Sequence, residues 1–414
     1  MTALLFVFSC VLVAFAAVLL FGIRCKAILG YLLLGFIVRT TLMLLDFSGI
    51  FVIPGSDSIA FVRHAKFLSE LPWETMKSYF NPTSAFNGYA FYGALVMRVV
   101  GFHELVMPAM NLLAGSLVLG FSGATIYQMW GAKAARISTL ILAVYPFAAF
   151  NSAIALREEF AIAAFTIGLY FILRWVRTGS WPGMLLSLVF LGIATSIHPG
   201  FVGAFVGLLA YMVIFLMRSL SILVNGKGVN RAQAVKSTIG AVALVILIGM
   251  VTVGGGVSLG KGIVIGGEDE DDAEITELIE SRFQRESRGG SGYPSVISTG
   301  DPFTQPWLIP ARMVYFHFSP FLWDIKSPRH VLGLVSSLLY FFLAYRIYKG
   351  WKSLKGREET LLLLLMFGGL TFVFAIGVTN IGTAIRHKTK FLVLILALAA
   401  SSFSTMRSKF RIKK

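Results

Sequence analysis

Three groups of residues in this chain have the types and spacing to do chemistry together. Asp57 stands in the turn-forming string Pro54-Gly55-Ser56-Asp57-Ser58, with Arg63 and His64 one to two helical turns later. Arg157-Glu158-Glu159 lies between two apolar runs, and Arg386-His387-Lys388-Thr389-Lys390 precedes the last one. A carboxylate at position 57 could take a proton from a hydroxyl, with Glu158 or Glu159 orienting an arginine or serving as a second acid/base group. The late cations could steady negative charge on a departing phosphate or pyrophosphate. Arginine offers phosphate oxygens a rigid fork of donors, whereas lysine offers a mobile charge.

Each group also has a plainer reading, and on the residues alone both stay open. Asp57 could cap a helix beginning near Ile59. The Arg157 triplet could be an interfacial salt-bridge cluster, although three ionisable groups near hydrocarbon are costly unless paired or turned to a polar cavity. The Arg386–Lys390 cations could hold phospholipid headgroups. His198, before Pro199-Gly200, could end a helix and point into the same cavity, or simply pack there.

The elements that must position these residues are membrane helices. Of 414 residues, 57% are hydrophobic and 14% charged, against about 25% charged in a soluble domain, and mean hydropathy is +0.79. Apolar runs long enough to cross about 30 Å of hydrocarbon recur along the chain, and the short alternating segments of a barrel are absent. The fold class expected is all-α and polytopic. The eleven expected crossings are 1–23, 27–53, 108–130, 134–152, 159–175, 182–197, 199–217, 238–260, 331–348, 360–379 and 391–406. The first run resembles a signal peptide, but it lacks a basic lead and a cleavage site and is read as retained.

The net charge of +16 would suit nucleic acid, but its distribution does not. Arg24/Lys26, Lys133/Arg136, Arg174/Arg177, the 218–236 cluster, Arg346 to Arg357 and the 407–414 tail all fall on one side of the eleven-span arrangement, as cytoplasmic loops do. That places the N-terminus outside, the C-terminus inside, and no nucleic acid among the partners. Cys10 and Cys25 form no metal or redox spacing. Nothing resembles a P-loop, dinucleotide fingerprint, zinc-protease motif or nucleophile elbow.

This arrangement divides the chain into five parts: two helices at 1–53, an outer loop at 54–107, a membrane core at 108–260, a second outer loop at 261–330, and terminal helices with a basic tail at 331–414. Within the first loop, Tyr89 to Val100 reads as a surface-lying or re-entrant helix; a full crossing is the alternative. The second loop holds an acidic run, Glu268 to Asp272, which reads as a solvated face because it lacks the spacing of a calcium loop. An amphipathic helix over Ile275–Phe283 and a flexible joint at Gly289–Tyr293 follow. The aromatic stretch Trp307–Trp323 then suits an interface, with Arg312 and His317 as its polar elements.

Gly55-Ser56-Asp57-Ser58, Tyr89-Ala90-Phe91-Tyr92-Gly93, Tyr145-Pro146, Asn151-Ser152 and Leu156-Arg157-Glu158-Glu159 together resemble the GT-C superfamily of polytopic glycosyltransferases. Protein mannosyltransferase-like and lipid A aminoarabinose transferase-like enzymes belong to it. The resemblance covers roughly residues 27–220, with only hydropathy agreeing beyond. It implies a polyprenyl-phosphate or polyprenyl-diphosphate sugar donor, a glycan, lipid or protein acceptor, and an inverting displacement at the outer face of a bacterial inner membrane, among membrane lipids. Asp57 would match the acceptor-activating carboxylate, and Arg386 and its neighbours would correspond to phosphate-binding groups; the substrate-binding residues expected are Arg63, His64, Arg157, His198, Arg312, Arg386, His387, Lys388 and Lys390. An extra crossing before the Asp57 loop and a single aspartate, where mannosyltransferases carry an acidic pair, depart from the pattern and argue against a required metal. No cofactor is implied. Asn380 to Lys388 also resembles a segment of bacterial polysaccharide polymerases, which keeps an O-antigen or capsule repeat-unit polymerase open. A lipid-linked glycan flippase or transporter is the reading from another class.

Overall fold

The structure is a computed structural model that describes residues 1–53, 55–80, 85–224, 234, 236–242, 257–260, 263–265, 292–298, 305–326 and 328–404. Among the described residues seven helices are long and apolar enough to cross a membrane, or eight counting one bent pair. The chain is a multi-pass helical membrane protein. Its contacts divide it into two units, the first built mainly from Met1–Tyr170 and Ser187–Pro199, the second from Phe171–Leu186 and Gly200–Ser402.

The first unit opens with α1 (Thr2–Arg24) and α2 (Leu29–Phe47), joined by a short 3-10 turn. On α1 the buried positions are small or slim: Ala3, Val7, Cys10, Ala14, Val18 and Gly22, recurring every three or four residues. The large residues Phe8, Leu20 and Ile23 face outward, at 61%, 59% and 64% exposure. Small residues at the helix seam and large ones toward solvent is the pattern of lipid-facing helices, where close backbone approach drives association. A short excursion follows: α3 (Ser56–Glu70), α4 (Trp73–Ser78) and α5 (Ala85–Val100). Its far end returns to where it left, because Thr2 Oγ1 donates to the Val100 carbonyl at 2.6 Å and the Phe47 and His103 rings lie 5.7 Å apart. Thus the excursion from α3 to α5 begins and ends at one end of the unit.

From that end α6 (Val106–Trp130) runs down the middle of the unit, buried on nearly every side. The chain comes back through α7 (Ala132–Val144) and α8 (Pro146–Ala153), which meet at 60°. Pro146 causes the bend: it has no N–H for the Leu142 carbonyl and its ring crowds the preceding turn. Then α9 (Arg157–Thr178) descends and α10 (Trp181–Ile197) returns; these two helices contribute to both units.

The second unit contains α11 (Val202–Val224), a small hairpin of β1 (Val257–Gly260) and β2 (Ile263–Ile265), the single turn α12 (Ser295–Ser298), α13 (Leu308–Phe318), α14 (Pro328–Leu354), α15 (Glu358–Gly377), α16 (Ile381–Lys388) and α17 (Leu392–Ala399). The hairpin is antiparallel and pairs Val257 with Ile265 in an otherwise helical unit. Residues 243–256, the acidic run, the 275–283 helix and the basic tail from 405 lie outside the described residues. The expected joint at Gly289–Tyr293 is tied at its far end, where Gly292 bridges Asn380 and Tyr293 N donates to the Thr379 carbonyl at 2.9 Å.

Helix α10, at 17 residues short for a span, matches the run expected at 182–197 to within one residue. The run expected at 391–406 begins earlier: α16, a 3-10 turn at Thr389–Phe391, α17 and a second 3-10 turn at Ala400–Ser402 form one descending path. Its lower end is held by Arg346, whose Nε and Nη2 donate to Ser402 Oγ at 2.9 Å and the Ser402 carbonyl at 2.8 Å.

Helices α11 and α15 touch through glycine. A Cβ on Gly203 would overlap the Gly369 carbonyl, and one on Gly207 the Leu365 carbonyl. Backbone cannot yield as a side chain can, so Gly203→Val is expected to destabilise the second unit by about 3 kcal/mol. Gly368→Ala, with nothing within 4 Å of its Cβ, should leave the melting temperature unchanged. Thermal size-exclusion profiles of the two variants in detergent check the contrast; equal melting would remove the glycine contact as a determinant.

Candidate functional site

The richest group of buried polar residues in the first unit gathers where α8 ends and α9 begins. Between them residues 154–156 form a break in which Ile154 is extended. Broken helix exposes carbonyls that hydrocarbon cannot satisfy, and Asn111 of α6 supplies the donors. Its Nδ2 lies 3.2, 2.6 and 2.8 Å from the carbonyls of Asn151, Ile154 and Leu156, sharing two protons among three acceptors. Asn111 Oδ1 accepts from the Tyr89 hydroxyl of α5 at 2.8 Å. Burial, with the charge of Glu158 adding to it, pushes the Tyr89 phenol well above its ordinary range, so it stays a protonated donor.

The break is also tied to α3. The Ala155 N–H donates to Ser58 Oγ at 3.0 Å, and Gly55 packs so closely on Ile154 that a Cβ would come within 2.7 Å of its Cδ1. Asp57, adjacent to Ser58 and half-buried, is therefore joined to the segment that leads into Arg157-Glu158-Glu159. The helix starts at Ser56, three residues before the expected Ile59, because the Gly55 carbonyl already accepts from Ser58 N at 2.9 Å. Asp57 thus sits inside the first turn and is not the cap; the cap is Gly55, which has no side chain to bond with. A carboxylate there still interacts favourably with the helix dipole.

Glu158 is fully buried and Glu159 nearly so, while Arg157 is half-buried. A carboxylate oxygen of Glu158 and a ring nitrogen of the buried His198, just past α10, lie within 4.8 Å. The turn to Glu159 brings it to a different partner: Ser152 Oγ is 2.9 Å from Glu159 Oε1 and accepts from Arg39 Nε at 3.1 Å. Arg39, on α2, is 1% exposed. Asp57, Arg157, Glu158, Glu159 and His198 all belong to one end of the first unit, the end capped by α3 and α5. The opposite end carries Arg24, Lys26, Lys133 and Arg136, with Arg136 Nε donating to the Ala27 carbonyl at 3.3 Å.

Arg63 and His64 follow Asp57 along α3. Arg63 comes six positions after Asp57, on another face of α3, and is exposed. His64, seven positions on, shares the Asp57 face and is half-buried, its ring stacked 6.1 Å from Phe67.

In the second unit the expected residues serve the interior. Arg312 turns part of its fork to backbone, Nε donating to the Ile297 carbonyl at 2.9 Å and Nη2 to the Ser298 carbonyl at 3.3 Å. His317, beside it in sequence, lies 2.9 Å from Thr371 Oγ1. Lys388 and Lys390 are fully buried. Lys388 Nζ donates to the Ser319 carbonyl, and the Tyr340 hydroxyl donates to the carbonyl of Lys388. Lys390 Nζ lies 2.6 Å from His387 Nδ1 and 4.9 Å above the Phe374 ring. Arg386 is half-buried in the last turn of α16. Buried lysines on internal partners do not suit the headgroup reading, which needs cations at a lipid-accessible surface.

Arg39, Asn111, Ser152 and Tyr89 were not among the residues expected from sequence to act. The available signal was position: an arginine and an asparagine inside apolar runs long enough to span, where polar groups face the bundle interior and carry function.

No protein-family model and no curated protein matches this chain. Among solved structures it is similar to ArnT from Cupriavidus metallidurans bound to undecaprenyl phosphate, at 15% sequence identity and a TM-score of 0.48. The match covers 90% of this chain and 58% of that one, so the chain spans little more than half the length of that protein.

Proposed function

We propose that this protein is a membrane glycosyltransferase that moves a sugar from a polyprenyl-phosphate or polyprenyl-diphosphate donor to a glycan, lipid or protein acceptor at the outer face of a bacterial inner membrane. The observation that carries the reading is the Ser58–Ala155 hydrogen bond, which joins the first turn of α3, with Asp57, to the break that opens into Arg157 and Glu158. Two carboxylates, an arginine and a histidine at one end of the unit suit a displacement at an anomeric carbon, which needs a base for the acceptor and a positive charge for the leaving phosphate. The basic residues at the opposite end favour an outward orientation for this one.

In the proposed step Asp57 takes the proton of the acceptor hydroxyl as its oxygen bonds to the anomeric carbon. The bond from that carbon to the phosphate oxygen breaks, and its electron pair leaves with the lipid phosphate. Arg157 stabilises the charge that develops on the leaving oxygen. Glu158 and His198 form the second proton-handling pair beside it. Single displacement inverts the anomeric configuration.

The test uses the full chain in nanodiscs with a panel of radiolabelled polyprenyl-phosphate and polyprenyl-diphosphate sugars. Labelled product and free lipid phosphate should form together. Arg157→Gln should slow that release by roughly 100-fold, the scale of losing one preorganised donor to a developing charge. Movement of intact donor across proteoliposome bilayers without bond cleavage would replace the transferase with a transporter, and no turnover of any donor would end the reading.

A further inference from the structure

Helix α7 stops where Pro146 removes a donor, and the carbonyls it leaves are taken up by a guanidinium from another helix. Arg39 Nη2 donates to the Leu142 carbonyl at 3.1 Å, and Nη1 to the carbonyls of Ala143 at 3.2 Å and Gly35 at 3.1 Å. Leu142 is the residue four before Pro146, the position whose helical partner proline cannot supply. The remaining donor, Nε, goes to Ser152 Oγ. The single proton of Ser152 has two acceptors at 2.9 Å, Glu159 Oε1 and the Ala148 carbonyl, and the carboxylate is the stronger of the two. Helix α6 seals this relay: a Cβ on Gly115 would collide with the Ser152 hydroxyl and come within 2.9 Å of Glu159 Oε1. A buried guanidinium and a buried carboxylate are thereby linked through one hydroxyl, with the α6 backbone packed against the link at Gly115.

Glu158 is adjacent in sequence but, one helical step round α9, faces His198 instead. We propose that Arg39 is a positioning residue that separates the tasks of the two neighbouring carboxylates: through Ser152 it keeps Glu159 as its counter-charge, and so leaves Glu158 as the one that exchanges a proton. The chemical part of this assignment rests on the transferase reading; the relay does not. Removing either end of a buried charge pair strands the other, so the pair also accounts for an arginine tolerated in the middle of an apolar helix.

Carboxyl labelling tests the relay with no substrate present. The full chain in nanodiscs is treated with dicyclohexylcarbodiimide, an apolar reagent that modifies protonated carboxyl groups, and fragment mass spectrometry separates Glu158 from Glu159. The expected result is modification of Glu158 in preference to Glu159. Arg39→Gln should bring Glu159 up to the level of Glu158, and Arg39→Lys, which keeps the charge, should restore most of its protection. Because Arg39→Gln could fail to fold, Ser152→Ala serves as a second variant that keeps both charges and removes only the link; it too should expose Glu159. Equal labelling of both carboxylates in the unaltered protein, or a Glu159 still protected in the folded fraction of both variants, would overturn the proposal. For the positioning role, turnover per folded Ser152→Ala molecule should fall about tenfold with donor KM unchanged, the effect of a small misplacement. A merely structural serine would lower the folded fraction and leave turnover per molecule intact. Should the unaltered protein transfer no sugar, the transferase reading fails while the labelling still decides the relay.

Discussion

Asp57→Asn is expected to reduce sugar transfer by roughly 10²- to 10⁴-fold, the range a positioned general base supplies, while leaving the protein folded. Asparagine has the shape of aspartate but cannot take a proton. Folding should survive because the start of α3 does not depend on this side chain. Its cap is Gly55, its first bond is Ser58 N to the Gly55 carbonyl, and its anchor to the rest of the unit is Ser58 Oγ. One loss to the fold is the attraction between a carboxylate and the amino end of a helix, about 0.3–1 kcal/mol at a partly exposed site. Donor KM should change little, since the proton leaves the acceptor and not the donor. Turnover measured per folded molecule separates the outcomes. Unchanged turnover would reduce Asp57 to a charge in a first turn and withdraw it from the mechanism.

The apolar run lengths and the basic loops were enough to read α1, α2, α6, α9, α11, α14 and α15 from the sequence. Length and lack of charge are properties of a single segment, and lipid imposes them on every spanning helix. The late path from α16 to Ser402 was read differently for a physical reason. Hydropathy treats a lysine as a residue that must stay near water, yet Lys388 and Lys390 enter the interior because Ser319, Tyr340 and His387 provide partners there. Two of those partners, Ser319 and Tyr340, come from residues far along the chain from Lys388, which no local pattern contains. Arg63 fails for a simpler cause: six positions along a helix is not the same face, whereas the seven to His64 nearly is.

The candidate site divides along the same line. Asp57, Arg157, Glu158 and Glu159 stood out because charge is scarce in this chain. Their distinct tasks did not, because neighbours in sequence on a helix point in different directions and meet different helices. Glu159 finds α2 through Ser152, and Glu158 finds the end of α10. Tyr145-Pro146 was legible as a motif, but its consequence, a vacancy at the Leu142 carbonyl filled by Arg39, needs the fold to be seen.

Asn111 is where the largest loss from a single uncharged side chain is expected. It holds three carbonyls of the 151–156 segment and one phenol, all buried. Hydrogen bonds within membrane proteins average only about 0.6 kcal/mol each, but a polar group left without a partner in the interior costs about 1–3 kcal/mol. Asn111→Ala should therefore destabilise the first unit by roughly 2–4 kcal/mol. Asn111→Asp is the sharper variant: equal in size, it keeps the acceptor for Tyr89 and turns an oxygen, in place of a donor, toward three carbonyl oxygens. It should be at least as destabilising as alanine despite leaving no cavity, whereas a packing role would make it the milder change. Ser116→Ala supplies the control on the same helix, because the Ser116 hydroxyl bonds only its own helix at the Leu112 carbonyl, 2.8 Å away. Activity should fall further than stability. The carbonyls of Ile154 and Leu156 fix the direction in which α9 sets out, and with it Arg157 and Glu158; a displacement near 1 Å at reacting groups costs on the order of 100-fold. Thermal unfolding and turnover per folded molecule, measured together across the three variants, distinguish a segment merely held in place from one held in place for chemistry.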